Sequence, residues 1–294
     1  MHTIPRTRLS RPTPFLSSLP RRRFLAQAGT LLLTAPSIVS AATDGSTQIK
    51  IGGTGSGLGI MRRLSDQFGN ETGGNRPIRL LPSLGSGGGI KALKAGVLEI
   101  AIISRPLEAG ESTDDLIVKP LGVTALGFAA RANIPLKSLT LDQVAALYAN
   151  PDAELVPGTR VRLVLRHQAD IDTQLPSRLS PALAEAMKKA ASRMGMILAP
   201  TDQDAADAIE RLPGAFGVSS LCLVRTENRK IDFIATNGVA PSIESMESGA
   251  YPLTKPLALV LRRDAADGHL SPLLRFLQTP AALKTLRDGG ILPS

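Results

Sequence analysis

Two short segments rich in glycine and serine have the clearest capacity for chemistry in this sequence. They are GGTGSGLG at 52–59 and LGSGGG at 84–89, each between an apolar stretch and a segment with helical periodicity. Glycines leave backbone N–H groups accessible, and the hydroxyls of Ser56 and Ser86 add further donors. The start of the following helix adds unpaired N–H groups at its positive dipole end. One such loop fits a simple turn equally well, but two in succession predict an anion site.

Neither segment matches the better known phosphate-binding motifs. The dinucleotide pattern G-x-G-x-x-G fails because its last position falls on Leu58 or on Ile60. The sequence has no G-K-[ST] triplet, which excludes a P-loop. Thr54 also breaks the G-x-S-x-G pattern around Ser56 that would mark a hydrolase nucleophile.

Side chains suited to catalysis or metal ligation are scarce beyond the first 40 residues. His167, His269 and the single Cys222 are far apart in the sequence, and no metal-ligand spacing occurs. The run DIDT at 170–173 has two carboxylates, too few for a complete cation site, and is also typical of a helix N-cap. We therefore expect no catalytic residue, no metal and no cofactor. An enzyme on the same fold is the alternative, and it would need His167 or another base in the cleft.

The elements that must position these loops alternate between strand and helix. The segments QIKIGG, PIRLLP and VLEIAII predict strands separated by amphipathic helices, and a second region with GVTALGFAA, VRLVLR and AFGVSSLCLV repeats this order. Short connections favour right-handed crossovers and an α/β fold with a mixed, mostly parallel sheet in each of two lobes. We place lobe 1 at 43–122 plus 250–294 and lobe 2 at 123–249. The hinge should lie at 121–124 and 239–255.

The N-terminal 42 residues predict an export signal that is removed. The formal net charge is +9, but six of these charges are arginines before residue 24, so the rest of the chain carries only +3. The segment R-R-R-F-L at 21–25 is similar to a twin-arginine signal, with a Sec signal as the alternative. About 15 uncharged residues follow, which is short of a membrane span. We expect a soluble periplasmic protein without a disulfide, and the low remaining charge argues against a nucleic-acid partner.

Four segments together resemble the phosphate-binding proteins of phosphate ABC transporters, within the type II periplasmic binding proteins. They are, in the order of that family, GTGSGLGIMRRLSDQF, LGSGGGIKALKAGVLEIAIISRPL, LTLDQVAALYAN and TDQDAADAIERLPGAFGVSS. The second is the most specific, because it joins the glycine loop to a strand ending in S-R-P-L. The resemblance implies a two-lobed binding protein that closes over one anion without a counter-cation.

The resemblance also implies the ligand contacts. They correspond to Gly55, Ser56 and Gly57 in the first loop, Ser86 and Gly87 in the second, Ser104 and Arg105 after the third strand, and Arg166, Asp172 and Thr173 in lobe 2. The family pattern R-x-D-x-S-G-T becomes RHQADIDT here, one residue longer and with Asp172 in place of glycine. If Asp170 or Asp172 faces the cleft, its carboxylate repels sulfate but accepts a proton from phosphate.

The sequence therefore predicts a monomeric protein that captures inorganic phosphate and delivers it to the membrane permease of an ABC transporter. Two alternatives remain open at this point. The ligand is another oxyanion, such as sulfate or molybdate, or the protein is a periplasmic sensor that is not coupled to transport.

Overall fold

The computed structural model describes residues 48–74 and 77–294, so the predicted export signal lies outside the described residues. Its strands are β1 (Ile49–Gly53), β2 (Ile78–Ser83), β3 (Ile100–Ile103), β4 (Leu116–Arg131), β5 (Ser138–Leu139), β6 (Glu154–Val156), β7 (Thr159–Arg160), β8 (Arg162–Leu165), β9 (Ile197–Leu198), β10 (Ala215–Ser220), β11 (Ile231–Phe233), β12 (Ala235–Thr236), β13 (Thr254–Arg262) and β14 (Ile291–Pro293). Its helices are α1 (Leu58–Glu71), α2 (Gly85–Lys94), α3 (Leu141–Ala149), α4 (Ile171–Ser177), α5 (Pro181–Ala191), α6 (Asp202–Arg211), α7 (Leu221–Thr226), α8 (Ile243–Glu247), α9 (Arg263–Asp267), α10 (Ser271–Phe276) and α11 (Pro280–Asp288).

One mixed sheet runs through the described chain in the order β2-β1-β3-β13-β4-β10-β8-β9, and β11 and β14 also pair with β4. As the sequence predicts, β1 is parallel to β2 and β3, and β8 is parallel to β10. Strand β8 is also parallel to β9, a two-residue strand that the sequence pattern does not indicate. The antiparallel pairings of this sheet all involve β4 or β13, and they join more residues than the parallel pairings do, so the predicted mostly parallel arrangement does not extend to these two strands. The sheet is therefore mixed because these two strands run against their neighbours.

Strand β4 connects two regions with separate hydrophobic cores. Its residues up to Ala125 pair with β13, and its later residues pair with β10. The first core is formed by β1, β3, β13, α1 and α11; the second surrounds the stacked rings of Phe128 and Phe216, whose centroids are 5.8 Å apart. These two regions give the two-lobed α/β fold, and the continuous sheet joins them, so the described residues form one compact unit.

One predicted strand is shorter than its sequence pattern suggests. The segment AFGVSSLCLV was expected to be a strand throughout, but β10 ends at Ser220 and α7 begins at the next residue. The Ser220 hydroxyl accepts the N–H of Leu223 at 3.3 Å, so this serine caps the helix. Cys222 then lies in the first core rather than on a strand of the second region.

The helix starts follow the capping residues visible in the sequence. Thr140 forms a capping box at α3, and Ser180 caps α5 ahead of a proline in its first turn. The DIDT run is also a cap, because Asp170 is the N-cap of α4. Within residues 48–74 and 77–294, no helix combines the length and the apolarity needed to cross a membrane.

Candidate anion-binding site

A cleft of about 270 Å³ lies between the first turn of α2 and the start of α4. The end of β3 lies in one wall of the cleft. The loop after β8 and the first residue of α6 lie in the other wall. Its lining residues are Thr54, Gly85, Ser86, Gly87, Ser104, Arg105, Glu108, Arg166, His167, Ala169, Asp170, Ile171 and Asp202. Both regions of the fold therefore contribute polar groups to one cavity.

Three hydroxyl groups form a connected chain along the first wall of this cleft. The N–H of Ser104 donates to the Ser86 Oγ at 3.0 Å, which fixes the start of α2 against the end of β3. The Ser104 hydroxyl donates in turn to the Thr54 Oγ1 at 3.2 Å. Gly85 positions Ser86 for these bonds. Its positive φ of 67° lets the backbone turn into α2 directly before this serine.

Arg105 lies at the rim of the cleft with its guanidinium already paired. Two of its nitrogens donate to the Glu111 carboxylate at 2.7 and 2.9 Å, and Glu108 lies 3.2 Å from its Nε. The hydrogen bond with Glu111 raises the pKa of Arg105 and lowers that of Glu111. The Arg105 charge is therefore largely compensated before any ligand arrives.

Arg166 and Asp170 form the opposite wall. The Arg166 guanidinium donates to the Asp170 Oδ2 at 2.6 Å and to the Ala199 carbonyl at 2.9 Å. The other Asp170 oxygen accepts the N–H of Asp172 at 2.9 Å and so caps α4. Arg166 is buried, and its Nε has no hydrogen-bond partner among the described residues. Because the Asp170 side chain remains 23% exposed, this carboxylate faces the cleft.

Asp202, the first residue of α6, occupies the donors of the first glycine loop. Its Oδ2 accepts the Thr54 hydroxyl and the Ser56 N–H, both at 3.2 Å, and its Oδ1 accepts the Ser56 hydroxyl at 3.1 Å. Gly55 permits this approach, since a Cβ there would lie 2.9 Å from the Cβ of Asp202. The bare backbone at Gly55 thus makes room for a helix of the same chain.

A buried lysine lies behind the cleft between two carboxylates. Lys255 in β13 is fully buried, and its Nζ lies 2.5 Å from the Asp172 Oδ1 and 3.6 Å from the Asp202 Oδ1. Burial alone would lower the pKa of Lys255, but the two carboxylates outweigh it and raise this pKa. The lysine therefore stays charged, in agreement with its geometry.

The two carboxylates beside Lys255 differ in their affinity for a proton. Burial raises the pKa of Asp172 to about 7, because the attraction of Lys255 does not fully offset it and Asp202 adds repulsion. Burial also acts on Asp202, but Lys255, Arg166 and the hydrogen bond from Ser56 hold its pKa below the ordinary value. The pKa values of two carboxyl groups that share one lysine move apart in this way. Asp202 is consequently the more acidic member of the pair.

Half of the predicted ligand contacts line the cleft, namely Ser86, Gly87, Ser104, Arg105 and Arg166. The first-loop residues Gly55, Ser56 and Gly57 are buried beneath Asp202. Asp172 is buried against Lys255, and the Thr173 hydroxyl donates to the Arg166 carbonyl at 3.2 Å. Of the two aspartates considered for ligand discrimination, Asp170 lines the cleft and Asp172 does not. The contacts of all ten residues with a ligand remain predictions.

Three polar residues of this region were missed from the sequence. Thr54 was considered only as the residue that breaks a hydrolase motif, and Asp202 only as part of a helix. An acidic residue at a helix start is explained by capping alone, so Asp202 gave no separate signal. Lys255 did give one, because a lysine within the apolar strand YPLTKPLALV is unusual.

His167 lines the cleft, and its Nδ1 accepts the N–H of Ala169 at 3.2 Å. Within the described part of the chain, no group of three or more His, Cys, Asp and Glu side chains is placed to hold a metal ion. The site is therefore built from hydroxyls, backbone N–H groups, two arginines and acidic side chains. Such a set can bind an anion that also has a proton to donate.

The fold and this inter-lobe cleft define a solute-binding protein of the periplasmic type. A sequence model of the PBP superfamily domain matches residues 39–278, and the chain belongs to this superfamily. Among curated protein sequences, none is significantly similar to the chain.

Solved structures with the same fold have low sequence identity to this chain. One is assigned as a phosphate ABC transporter substrate-binding protein with bound phosphate, from Clostridium perfringens; it has a TM-score of 0.70 and 17% identity, over 84% of this chain and 99% of that one. Another is an ABC-type phosphate transport receptor from Vibrio cholerae, with a TM-score of 0.57 and 21% identity over 84% and 100%. A reduced form of OxyR from N. meningitidis also matches, with a TM-score of 0.54 and 12% identity over 84% and 99%. At these identities the likenesses show the fold alone.

Proposed function

We propose that this protein captures inorganic phosphate in the cleft between Ser86 and Arg166 and delivers it to the permease of an ABC transporter. The observation that carries the proposal is the convergence of donors from both regions of the fold on one small cavity. Ser86 and Ser104 line this cavity from one region and Arg166 lines it from the other, beside the start of α2. The Clostridium protein with bound phosphate and the Vibrio phosphate transport receptor, which have the same fold, support the same ligand.

Asp170 favours phosphate over sulfate as the ligand. A carboxylate about 4 Å from a fully ionised anion would cost a few kcal/mol at intermediate dielectric. Phosphate at neutral pH retains a proton that it can donate to this carboxylate, whereas sulfate has none. Of the two aspartates to which the sequence leaves this discriminating role, Asp170 is the one that lines the cleft.

The donors of the cleft are sufficient for useful affinity. A hydrogen bond to a charged group contributes about 1.5–3 kcal/mol, and a micromolar dissociation constant requires about 8 kcal/mol. Four bonds from the hydroxyls, the backbone and Arg166 would supply about 6–12 kcal/mol, a range that includes this value. No catalytic step is part of the proposal, since the ligand is bound and released unchanged.

We further propose that binding closes two lobes, 43–122 plus 250–294 and 123–249, about the strands that connect them. The ligand biases closure because it contacts both walls only when they are close together. The remaining parts of the proposal are twin-arginine export of a mature chain from about residue 43, a periplasmic location, and a monomer without a nucleic-acid partner.

Isothermal titration calorimetry of the mature chain with phosphate, sulfate and molybdate tests the ligand. We expect saturable binding of one phosphate per chain and no sulfate binding at the same concentrations. Micromolar sulfate binding without a phosphate signal would overturn the proposal.

Delivery to a transporter needs a separate measurement, because a sensor would bind phosphate equally well. We expect phosphate uptake to fall in cells that lack the gene for this chain. Unchanged uptake, together with phosphate binding by the purified protein, would leave a sensor that is not coupled to transport.

A further inference from the structure

The first glycine loop already binds an anion that belongs to the protein. Three donors of this loop, the Thr54 hydroxyl and the hydroxyl and N–H of Ser56, all point to the Asp202 carboxylate at 3.1–3.2 Å. Both hydroxyl-bearing residues are almost fully buried, with exposures of 3% and 1%. The loop therefore has no spare side-chain donor for a ligand while Asp202 remains there.

Two cations stabilise the negative charge of the Asp202 carboxylate. Lys255 Nζ lies 3.6 Å from its Oδ1, and Arg166 acts on it electrostatically from the cleft wall. Lys255 is closer to Asp172, at 2.5 Å, so Asp202 shares this cation with a second carboxyl group. An anion site with hydroxyls, an N–H group and a nearby ammonium is thus formed and filled within one chain.

Asp202 also forms part of the wall of the open cleft, beside Thr54 and Ser104. An anion entering the cleft meets this carboxylate and is repelled by it across a medium of low polarity. The close fit at Gly55 shows that α6 is seated on the loop: a Cβ added there would lie 2.1 Å from the Gln203 Oε1. Gln203 supports this seating, because its Nε2 donates to the Gly55 carbonyl at 3.0 Å.

We propose that the Asp202 carboxylate is a built-in anion that excludes the ligand from the first glycine loop and lowers the affinity of the cleft for phosphate. The second half of this inference rests on the proposed function, and the first half does not. Loss of the Asp202 side chain frees three donors, and loss of its charge alone ends the repulsion. Phosphate then gains contacts at the loop that the family resemblance assigns to Ser56.

The first experiment tests the loop without phosphate. Asp202→Ala leaves the donors of Thr54 and Ser56 and the Lys255 ammonium without this partner, and formate is the smallest carboxylate that can replace it. We expect the thermal midpoint of the variant to fall in chloride buffer and to rise on addition of formate by more than that of the wild type. The matched control is Asp142→Ala, an exposed acidic residue in the first turn of α3. The absence of a selective formate effect would overturn the inference.

The second experiment measures phosphate affinity by calorimetry on the wild type, Asp202→Asn and Asp142→Asn. Asparagine keeps an oxygen for the Ser56 N–H, so this variant serves where the alanine variant does not fold. We expect phosphate to bind to Asp202→Asn at least tenfold more tightly than to the other two proteins. Equal or weaker binding would overturn the inference and leave the proposed function intact.

The two proposals fail in different ways. If Asp202→Asn binds phosphate and the wild type does not, the built-in anion is supported and phosphate capture by the natural chain is wrong. If none of the three proteins binds phosphate, the proposed function is wrong, and the formate result alone decides whether Asp202 fills an anion site.

Discussion

The Lys255 ammonium lies 2.5 Å from the Asp172 carboxylate at a point where neither side chain meets solvent. Lys255 belongs to β13, which crosses the middle of the sheet, and Asp172 belongs to the first turn of α4. Asp202 is the third member of this group, so one buried cation serves two carboxylates. The ion group connects the wall of the cleft to the sheet beneath it.

Replacement of Lys255 by methionine should destabilise the protein strongly. The change leaves Asp172 and Asp202 buried without their cation, and loss of one partner of a buried pair costs about 3–5 kcal/mol. We expect the free energy of unfolding in urea to fall by at least about 3 kcal/mol. The exposed Lys188→Met is the control and should change it by less than about 0.5 kcal/mol.

A double variant separates this charge effect from a packing effect. Lys255→Met with Asp202→Asn should recover part of the loss, because Asp202 is the more acidic of the two carboxyl groups and its uncompensated charge is then removed. A double variant no more stable than Lys255→Met alone would contradict the ionic explanation.

The raised pKa of Asp172, about 7 and caused mainly by burial, predicts a pH dependence of stability. Between about pH 4 and pH 7 the unfolded carboxyl has lost its proton while the folded one still holds it. The stabilisation is therefore present at the acidic end of this window and is lost as the pH rises, by up to about 1.4 kcal/mol per pH unit. The advantage of the wild type over Asp172→Asn should shrink steadily from pH 5 to pH 7.

Urea unfolding of both proteins at several pH values in this window measures the difference. Asp202 does not contribute, because its pKa is below the ordinary value and it stays ionised throughout. Asp142→Asn should show a constant difference from the wild type. A wild-type advantage that grows with pH would show that Asp172 is ionised in the folded protein.

The order of elements and the presence of the cleft could be predicted from local pattern. Apolar periodicity and capping residues depend on neighbours in the sequence, so α3, α5 and the β1-α1-β2-α2-β3 order were recognisable. The two glycine loops were also recognised, because loop composition is a local property. The groups that each loop contacts depend on the tertiary structure. The first loop binds the Asp202 carboxylate, whereas the second loop lines the cleft.

The sequence could not predict which aspartate lines the cleft, and the reason is geometric. Asp170 and Asp172 are two residues apart at a helix start, where successive residues turn by about 100°, so they face nearly opposite directions. Which of them enters the cleft depends on the residue at which α4 begins. The contact between Asp202 and the first loop joins residues 146 positions apart, and no local pattern specifies such a pair.

Alanine at Gly55 should test the seating of α6 on the first loop. Its Cβ would lie 2.1 Å from the Gln203 Oε1 and 2.9 Å from the Asp202 Cβ. Forced contacts of this kind cost about 1–3 kcal/mol, which we expect as a loss of stability in urea unfolding.

Gly69→Ala is the matched control, since the residue is helical and a Cβ there would meet nothing within 4 Å apart from its chain neighbours and its own helix backbone. Alanine should raise stability at this position by up to about 1 kcal/mol. If Gly55→Ala were as stable as the wild type, α6 would not contact the loop as described.

Ser86→Ala should weaken phosphate binding about 10- to 100-fold, because one hydrogen bond to a charged ligand contributes about 1.5–3 kcal/mol. The Ser86 hydroxyl lies in the cleft, at the start of α2. Calorimetry measures the change, and Ser65→Ala is the control because its hydroxyl donates to a carbonyl within α1 at 2.6 Å. A Ser86→Ala protein that titrates like the wild type would place phosphate elsewhere.

Asp170→Asn should relax the discrimination between phosphate and sulfate. Asparagine keeps the cap of α4 and removes the negative charge that faces the cleft. Since sulfate has no proton to offer this carboxylate, its affinity relative to phosphate should rise at least tenfold in the variant. Competition calorimetry with both anions gives the ratio directly.

Glu108→Gln is the control for this prediction. The Glu108 carboxylate also lines the cleft but is 65% exposed, so solvent screens it and the ratio should change less than threefold. An unchanged ratio in Asp170→Asn would assign the discrimination to another group, and Asp202 is the remaining buried carboxylate of the cleft wall.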